Sequence, residues 1–136
     1  MTVSRPVLLL VCLALAAPAA SRADTLTRAD CAAPLSTSDA DLCMASEYAR
    51  LDASLDAVHA DTVALLASDA SCVGDCAGAQ AAVADAQTAW QQVRSRDCDA
   101  AFAIAIQGSG RNAARLQCLI DHTRTRIGQL QRFLSL

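Results

Sequence analysis

The residues with the clearest chemistry in this 136-residue chain are its cysteines. Six of the seven lie in the body of the chain, at Cys31, Cys43, Cys72, Cys76, Cys98 and Cys118. An even number of cysteines in a small exported domain is typical of a disulfide framework. A metal or redox site is less favoured, because there is no Cys-x-x-Cys pair and His59 and His122 are isolated in sequence. No metal and no cofactor is expected.

The N-terminal segment has the pattern of a secretory signal. A positive charge precedes an apolar stretch over residues 7–17, which is too short to span a bilayer as a helix. Small residues after this stretch offer a cleavage site ending at Ala23, with a second candidate ending at Ala19. We therefore expect a signal peptide over residues 1–23 and one exported domain over residues 24–136.

The positions of two cysteines bear on membrane attachment. A lipid anchor needs a small residue immediately before a cysteine at the end of the apolar stretch. Cys12 follows Val11 and Cys31 follows Asp30, so neither fits. We expect a periplasmic or secreted protein without a stable membrane anchor.

Apolar residues recur at spacings of three and four along three stretches of the chain, which predicts three amphipathic helices. The first begins near Ser38 as its N-cap, the second runs from about Ala77 to Ile106, and the third runs from about Arg111 to the end. Their inward faces are Met44, Tyr48, Leu51, Leu55, Val58, Thr62 and Leu65; then Ala79, Val83, Ala86, Trp90, Val93, Cys98 and Phe102; then Leu116, Ile120, Thr123, Ile127, Leu130 and Leu134. No strand-like alternation occurs. The fold class is therefore all-α, an antiparallel three-helix bundle stapled by disulfides.

Residues equally far from a turn lie level on adjacent antiparallel helices, which restricts the cysteine pairing. Cys72 and Cys76 lie at one end of the bundle and form the easiest pair. The other four lie at the opposite end and leave two arrangements open: Cys31–Cys43 with Cys98–Cys118, or a crossed pairing through Cys43–Cys98.

The same counting brings polar side chains together. Asp52 is level with Arg94, and Arg94 is level with the turn of helix that ends at Arg126, so these three side chains could form a buried ion network. We interpret it as a structural clamp that sets helix register, with a ligand site as the functional alternative. Trp90 is predicted to anchor the core and to lie level with Gly128. Our hypothesis is that this glycine makes room for the indole.

Two blocks of residues in the last two helical stretches resemble a known family. They are Ala86-Gln87-x-x-Trp90-x-x-x-Arg94-x-x-x-Cys98 and, after a Gly-Ser turn, Cys118-Leu119-x-x-x-Thr123-x-x-Arg126-x-x-x-Leu130. The family is the lysozyme inhibitor LprI-like family, also catalogued as a domain of unknown function. Asp30-Cys31, Leu42-Cys43 and Leu51-Asp52-x-x-Leu55 match its opening, so the resemblance covers about residues 30–131.

The resemblance implies an exported, helical, disulfide-bonded domain, with lysozyme inhibition as the activity attached to the family. It also favours the pairs Cys31–Cys43 and Cys98–Cys118. The chain departs from the family in its turn, which reads Gly108-Ser109-Gly110 instead of Gly-Gly-Ser, in the additional Cys72 and Cys76, and in lacking an acylated cysteine.

Charge is unevenly distributed along the chain. Residues 24–90 carry eleven acidic residues against two arginines, whereas residues 91–136 carry seven arginines against three aspartates. A net charge of −3 argues against nucleic acid as a partner. An acidic first helix would attract a strongly basic lysozyme. The alternative is a solvated face that keeps an exported protein soluble.

Blocking a lysozyme requires contact with the two carboxylates that cleave the glycosidic bond, and hydrogen-bond donors suit them. The turn formed by Gln107, Gly108, Ser109, Gly110 and Arg111 offers backbone N–H groups, a hydroxyl and a guanidinium, and it is our hypothesis for the partner-binding site. A plain connecting turn is the alternative. The Cys72–Cys76 loop is a second rigid protrusion, with Ser71 and Gly74 as donors, but the carboxylate of Asp75 would be repelled.

No enzyme is indicated, since the chain has no Ser-His-Asp set, no phosphate-binding loop and no paired carboxylates facing a cleft. The favoured interpretation is an exported protein, a monomer or weak dimer, that inhibits a lysozyme at the cell envelope. The alternative is a structural or stress-related envelope protein with no enzyme target.

Overall fold

The structure is a computed structural model that describes residues 30–68 and 72–135 of the chain. The predicted signal peptide and Ser71 lie outside these residues. A short 3-10 helix, Asp30–Ala32, precedes three α-helices: α1 (Thr37–Leu66), α2 (Cys76–Ile104) and α3 (Arg111–Phe133). The described residues contain no strand, and the prediction of an all-α bundle is confirmed. None of these helices is long and apolar enough to cross a membrane.

Side-chain caps fix where α1 and α2 begin. The Ser36 hydroxyl accepts a hydrogen bond from the backbone N–H of Asp39 at 3.1 Å, and Ser36 has an extended backbone, as an N-cap requires. Ser38 is already helical, so the prediction that it caps α1 is wrong by two residues. At the start of α2, the Asp75 carboxylate accepts from the Gly78 N–H at 2.9 Å.

The helix α3 holds the bundle together, because it packs closely against both α1 and α2 while those two contact each other much less. The core cluster takes one residue from each helix: Leu55, Val83 and Leu130. Trp90 and Ile127 are partly buried and pack against this cluster. Trp90 therefore anchors the core from its edge.

The inward faces of α1 and α3 follow the predicted periodicity. The buried residues are Leu51, Leu55 and Thr62 on α1 and Leu119, Ile120, Thr123 and Leu130 on α3. Leu119 is the one that the apolar spacing missed. The predicted face of α3 extends too far, because the helix ends at Phe133 and Leu134 is exposed.

The inward face of α2 differs from the prediction in part: Val83 and Cys98 are buried as expected, and Arg94 faces inward as the expected ion network required. Ala86 is exposed, and Val93 is 51% exposed, whereas Gln87 is only 6% exposed and Arg94 is half-buried. The helix is rotated so that two long polar side chains face its neighbours. Arg94 finds hydrogen-bond partners there, and the Gln87 amide oxygen accepts from Arg126, whereas the buried Gln87 Nε2 has no hydrogen-bond partner among the described residues.

The hypothesis that Gly128 makes room for the Trp90 indole is wrong. Gly128 is exposed, and a methyl group added to it would have no described neighbour within 4 Å. Gly128 lies outside the apolar face of α3, so its Cα faces solvent and not α2.

Three disulfides join the six cysteines, which confirms the predicted disulfide framework. The pairs are Cys31–Cys43, Cys72–Cys76 and Cys98–Cys118, with Cα–Cα distances of 5.5, 5.9 and 5.4 Å. The crossed pairing through Cys43–Cys98 is not adopted. The first bridge ties the 3-10 helix to α1, the second closes the loop before α2, and the third links α2 to α3.

Candidate partner-binding site

The connection between α2 and α3 is an exposed turn. All five residues from Gln107 to Arg111 are exposed. The turn is held by the Gly108 N–H, which donates to the Ala105 carbonyl at 2.9 Å, and by the Arg111 guanidinium, which donates to the Gly108 carbonyl at 3.3 Å. Only one guanidinium N–H is used in this contact, so the others remain available to a partner.

Several hydrogen-bond donors lie close to the start of α3. Its N-cap is Gly110, and no side chain caps it. The first backbone N–H groups of a helix have no partner within the helix, and Ser109 immediately precedes this N-cap. The turn therefore presents the donors that the sequence indicated.

Exposed apolar side chains surround this turn, and they were not predicted as part of a site. Ile104 is 87% exposed and Ile106 46% exposed at the end of α2, and Leu42 of α1 is also exposed. The start of α1 is held beside the start of α3, because the Asn112 amide donates to the Asp41 carboxylate at 3.0 Å. The sequence could have indicated this exposed apolar surface. Apolar residues at 102, 104 and 106 cannot all lie on one helical face, so some of them must be exposed.

The loop closed by Cys72–Cys76 lies at the opposite end of the bundle. Val73 is fully exposed, and Gly74 has a φ of 123°, a backbone conformation that favours glycine. The Asp75 carboxylate is occupied in capping α2. This loop thus offers one apolar side chain and fewer donors than the α2–α3 turn.

The predicted ion network of Asp52, Arg94 and Arg126 forms in part. Arg94 makes an ion pair with Asp52 at 2.6 Å and donates to the Thr123 hydroxyl at 3.0 Å, and its side chain is 11% exposed. The guanidinium also lies over the rings of Trp90, 4.6 Å from the centroid, and Tyr48, at 5.5 Å. Burial raises the pKa of Tyr48. Arg94 thus contacts all three helices.

Arg126 does not join the ion network that was expected. Its Nε donates to the Gln87 amide oxygen at 2.9 Å, and its guanidinium lies 5.9 Å from the Trp90 ring. Arg126 lies three residues beyond Thr123, about 4.5 Å further along α3, and so it reaches Gln87 instead of Asp52. Burial lowers the pKa of Arg126.

Several acidic side chains are neutralised on the surface. Glu47 bonds to Arg50 at 2.8 Å and to Arg124 at 2.9 Å, and these hydrogen bonds lower its pKa to about 2. Asp56 and Asp61 of α1 are exposed and form no ion pair with another described residue. The acidic residues of α1 that form no ion pair with a described residue therefore lie in both halves of the helix: Asp39 and Asp41, and Asp56 and Asp61.

The two histidines lie apart from the proposed turn. His59 and His122 are half-buried, and the His122 Nε2 lies 3.5 Å from Asp97. His122, Cys98 and Cys118 place possible ligand atoms within 4.8 Å of one another. Both cysteines are joined in a disulfide, so they offer no thiolate to a metal.

The family model described as lysozyme inhibitor LprI matches residues 27–130, which include α1, α2 and most of α3. No curated protein and no solved structure matches the chain.

Proposed function

Because this chain belongs to the lysozyme inhibitor LprI family, we propose that it binds a cationic lysozyme outside the cytoplasm and blocks its activity. The observation that carries this proposal is the family match, which extends over all the elements that position the α2–α3 turn. The disulfides support the location, because such bonds persist in oxidising compartments. A cleavable signal peptide over residues 1–23 remains our prediction for the route of export.

The α2–α3 turn, residues 107–111, is the proposed inhibitory element. The carboxylates in a lysozyme cleft accept hydrogen bonds, and the turn supplies the Ser109 hydroxyl, backbone N–H groups and the Arg111 guanidinium. Ile104 and Ile106 supply apolar surface beside these donors. Apolar anchors surrounded by polar groups are the usual composition of a protein–protein contact.

Long-range charge supports the encounter. The chain has a net charge of −3, and Asp56, Asp61 and Asp85 are exposed without an ion-pair partner among the described residues. Opposite net charges accelerate association and do so less at high salt, because the Debye length falls from about 30 Å at 0.01 M to about 8 Å at 0.15 M. Inhibition is therefore expected to weaken as salt rises.

A lysis assay with a basic lysozyme and the oxidised protein tests this function directly. The variant carrying Ser109→Ala and Arg111→Ala should inhibit about tenfold to a hundredfold less well, because the loss of two donors at a contact costs about 1.4–2.8 kcal/mol. Ser95→Ala with Arg96→Ala is a matched control, since both residues are exposed on α2 and away from the turn. Circular dichroism checks that helicity is unchanged.

The outcomes separate three interpretations. Loss of inhibition in the turn variant alone supports the turn as the inhibitory element. Equal inhibition by both variants places the contact elsewhere on the protein. Absence of inhibition against several lysozyme types favours the alternative, a structural or stress-related envelope protein.

A further inference from the structure

An apolar groove of about 380 Å³ lies at the end of the bundle opposite the α2–α3 turn. Its walls are formed by Leu66 at the end of α1, Val83 on α2 and Phe133 at the end of α3. Three alanines of α2 complete the lining: Ala79, Ala82 and Ala86. Their short side chains leave a channel that larger residues would fill.

One charged residue lines this groove, and it leads to a second recess. Arg126 borders both the apolar groove and an adjoining space of about 370 Å³, which is also lined by Gln129, Arg132 and Phe133. Because Arg126 and Phe133 belong to both linings, the two spaces are adjacent. The combined groove is apolar at one end and carries two guanidinium groups at the other.

These two guanidinium groups have no acidic partner among the described residues. Arg126 donates to the neutral amides of Gln87 and Gln129, at 2.9 and 3.4 Å, and Arg132 forms no side-chain hydrogen bond or ion pair with a described residue. The second terminal nitrogen of Arg126, Nη2, forms no hydrogen bond with a described residue. Positive charge that is half-buried at Arg126 and exposed at Arg132, beside an apolar channel, favours a ligand that has an acyl chain and a negative head group.

We propose that this groove binds a free fatty acid, with the acyl chain against Val83 and Phe133 and the carboxylate on Arg126 and Arg132. Burial of each methylene group in the channel is favourable, and the planar guanidinium fork fits the two oxygens of a carboxylate. A cationic or neutral amphiphile of equal chain length gains the same apolar contact but leaves both guanidinium groups unpaired.

This site is separate from the proposed inhibitory turn. Arg126 lies fifteen residues along α3 from Arg111, about 22 Å. Failure of fatty-acid binding would therefore leave the lysozyme proposal intact, and the reverse also holds.

Isothermal titration of the oxidised protein with decanoate, below the concentration at which it forms micelles, tests the assignment. Decanoate should bind about tenfold or more tightly than decyltrimethylammonium or decanol, which corresponds to at least about 1.4 kcal/mol. Equal binding of all three amphiphiles, or no binding of decanoate, would overturn the proposal. Decyl phosphate tests the alternative of a lipid with a phosphate head group. If it binds tenfold more tightly than decanoate, the fatty-acid assignment is wrong.

Two pairs of variants localise the binding. Ala82→Trp fills the groove from an exposed position and should abolish decanoate binding, whereas Ala84→Trp, also exposed on α2 but outside the groove lining, should not. Arg132→Gln should weaken decanoate binding about threefold to tenfold and leave decanol binding unchanged, with Arg96→Gln as the matched control. Decanoate affinity that is the same in Ala82→Trp and Ala84→Trp would contradict a site in this groove. Thermal unfolding verifies that each variant is folded.

Discussion

At the scale of single residues, Arg94 is the polar side chain with the most structural contacts. It extends from α2 to Asp52 of α1 and to Thr123 of α3, and its guanidinium is covered by the rings of Trp90 and Tyr48. Removal of the guanidinium would leave the Asp52 carboxylate without its ion partner. We interpret the contact set as a register clamp, because it fixes the three helices at one level.

Arg94→Met should therefore destabilise the protein. We expect a loss of about 1–3 kcal/mol in the free energy of unfolding, below the value for a fully buried pair because Asp52 is partly exposed. Urea unfolding followed by circular dichroism measures this change. Arg96→Met, an exposed control on the same helix, should stay within about 0.5 kcal/mol of the wild type. Equal midpoints for the two variants would show that Arg94 is not a clamp.

Glu47 makes stability depend on pH in the acid range. Hydrogen bonds, first from Arg50 and then from Arg124, lower its pKa in the folded protein to about 2, below the ordinary value of 4.5. Since the folded pKa is the lower one, the contribution to stability is present above pH 4.5 and is lost as the pH falls towards 2.

The variant Glu47→Gln isolates this contribution. The difference in free energy of unfolding between wild type and variant should be less than about 1 kcal/mol at pH 6, since the pairs are at the surface, and should shrink by pH 3 at low salt. Chemical denaturation at the two pH values gives the comparison. A difference that does not change with pH would mean that the Glu47 carboxylate is not stabilised by these arginines.

At the scale of secondary-structure elements, the sequence predicted α1 and α3 better than α2. Leu51, Leu55 and Leu130 are buried and follow the apolar spacing. On α2, Gln87 and Arg94 face inward, and apolar periodicity cannot recognise a polar residue that is buried through its hydrogen bonds. The spacing that assigned Val93 to the core therefore missed the rotation of this helix.

Helix beginnings were also predicted less well than helix existence. Ser36 and Ser38 are both good N-cap residues, and the sequence alone does not distinguish them. The backbone settles the choice, since Ser36 is extended and its hydroxyl accepts from the Asp39 N–H.

Ser36→Ala should lower the free energy of unfolding by about 1 kcal/mol, because the cap hydrogen bond is lost. Ser38→Ala should leave stability unchanged or slightly raised, because Ser38 is exposed inside the first turn and alanine has the higher helix propensity. Thermal unfolding of the two single variants makes the comparison. A larger loss for Ser38→Ala would assign the cap to Ser38 after all.

At the scale of the whole molecule, the two ends of the bundle differ in character. One end carries the exposed α2–α3 turn with its donors and the apolar side chains of Ile104 and Ile106, and the other carries the apolar groove with Arg126. The donors of the turn were predictable from residues 107–111, because glycine and serine between helices indicate an exposed turn. The apolar surface beside them and the groove were not, since both depend on how the three helices are rotated.

The disulfides at the two ends of the bundle restrain different parts of the protein. Cys98–Cys118 links α2 and α3 on either side of the α2–α3 turn, so it restrains the turn in the folded protein as well as the unfolded chain. Cys72–Cys76 closes a loop at the opposite end and touches neither the turn nor its flanking residues. Cys98–Cys118 can therefore affect stability and lysozyme inhibition together, whereas Cys72–Cys76 can affect only stability.

We expect Cys98→Ala with Cys118→Ala to lower the free energy of unfolding by about 2–4 kcal/mol and to weaken lysozyme inhibition. A flexible turn must be ordered when it binds, and that ordering reduces affinity. Cys72→Ala with Cys76→Ala should leave inhibition unchanged, and it should cost less stability because its loop is shorter. Both measurements are made below the unfolding temperature of each variant, so that loss of inhibition does not arise from unfolding. If the folded Cys98→Ala, Cys118→Ala variant inhibits as well as the wild type, then the restraint that this bridge places on the turn does not contribute to binding.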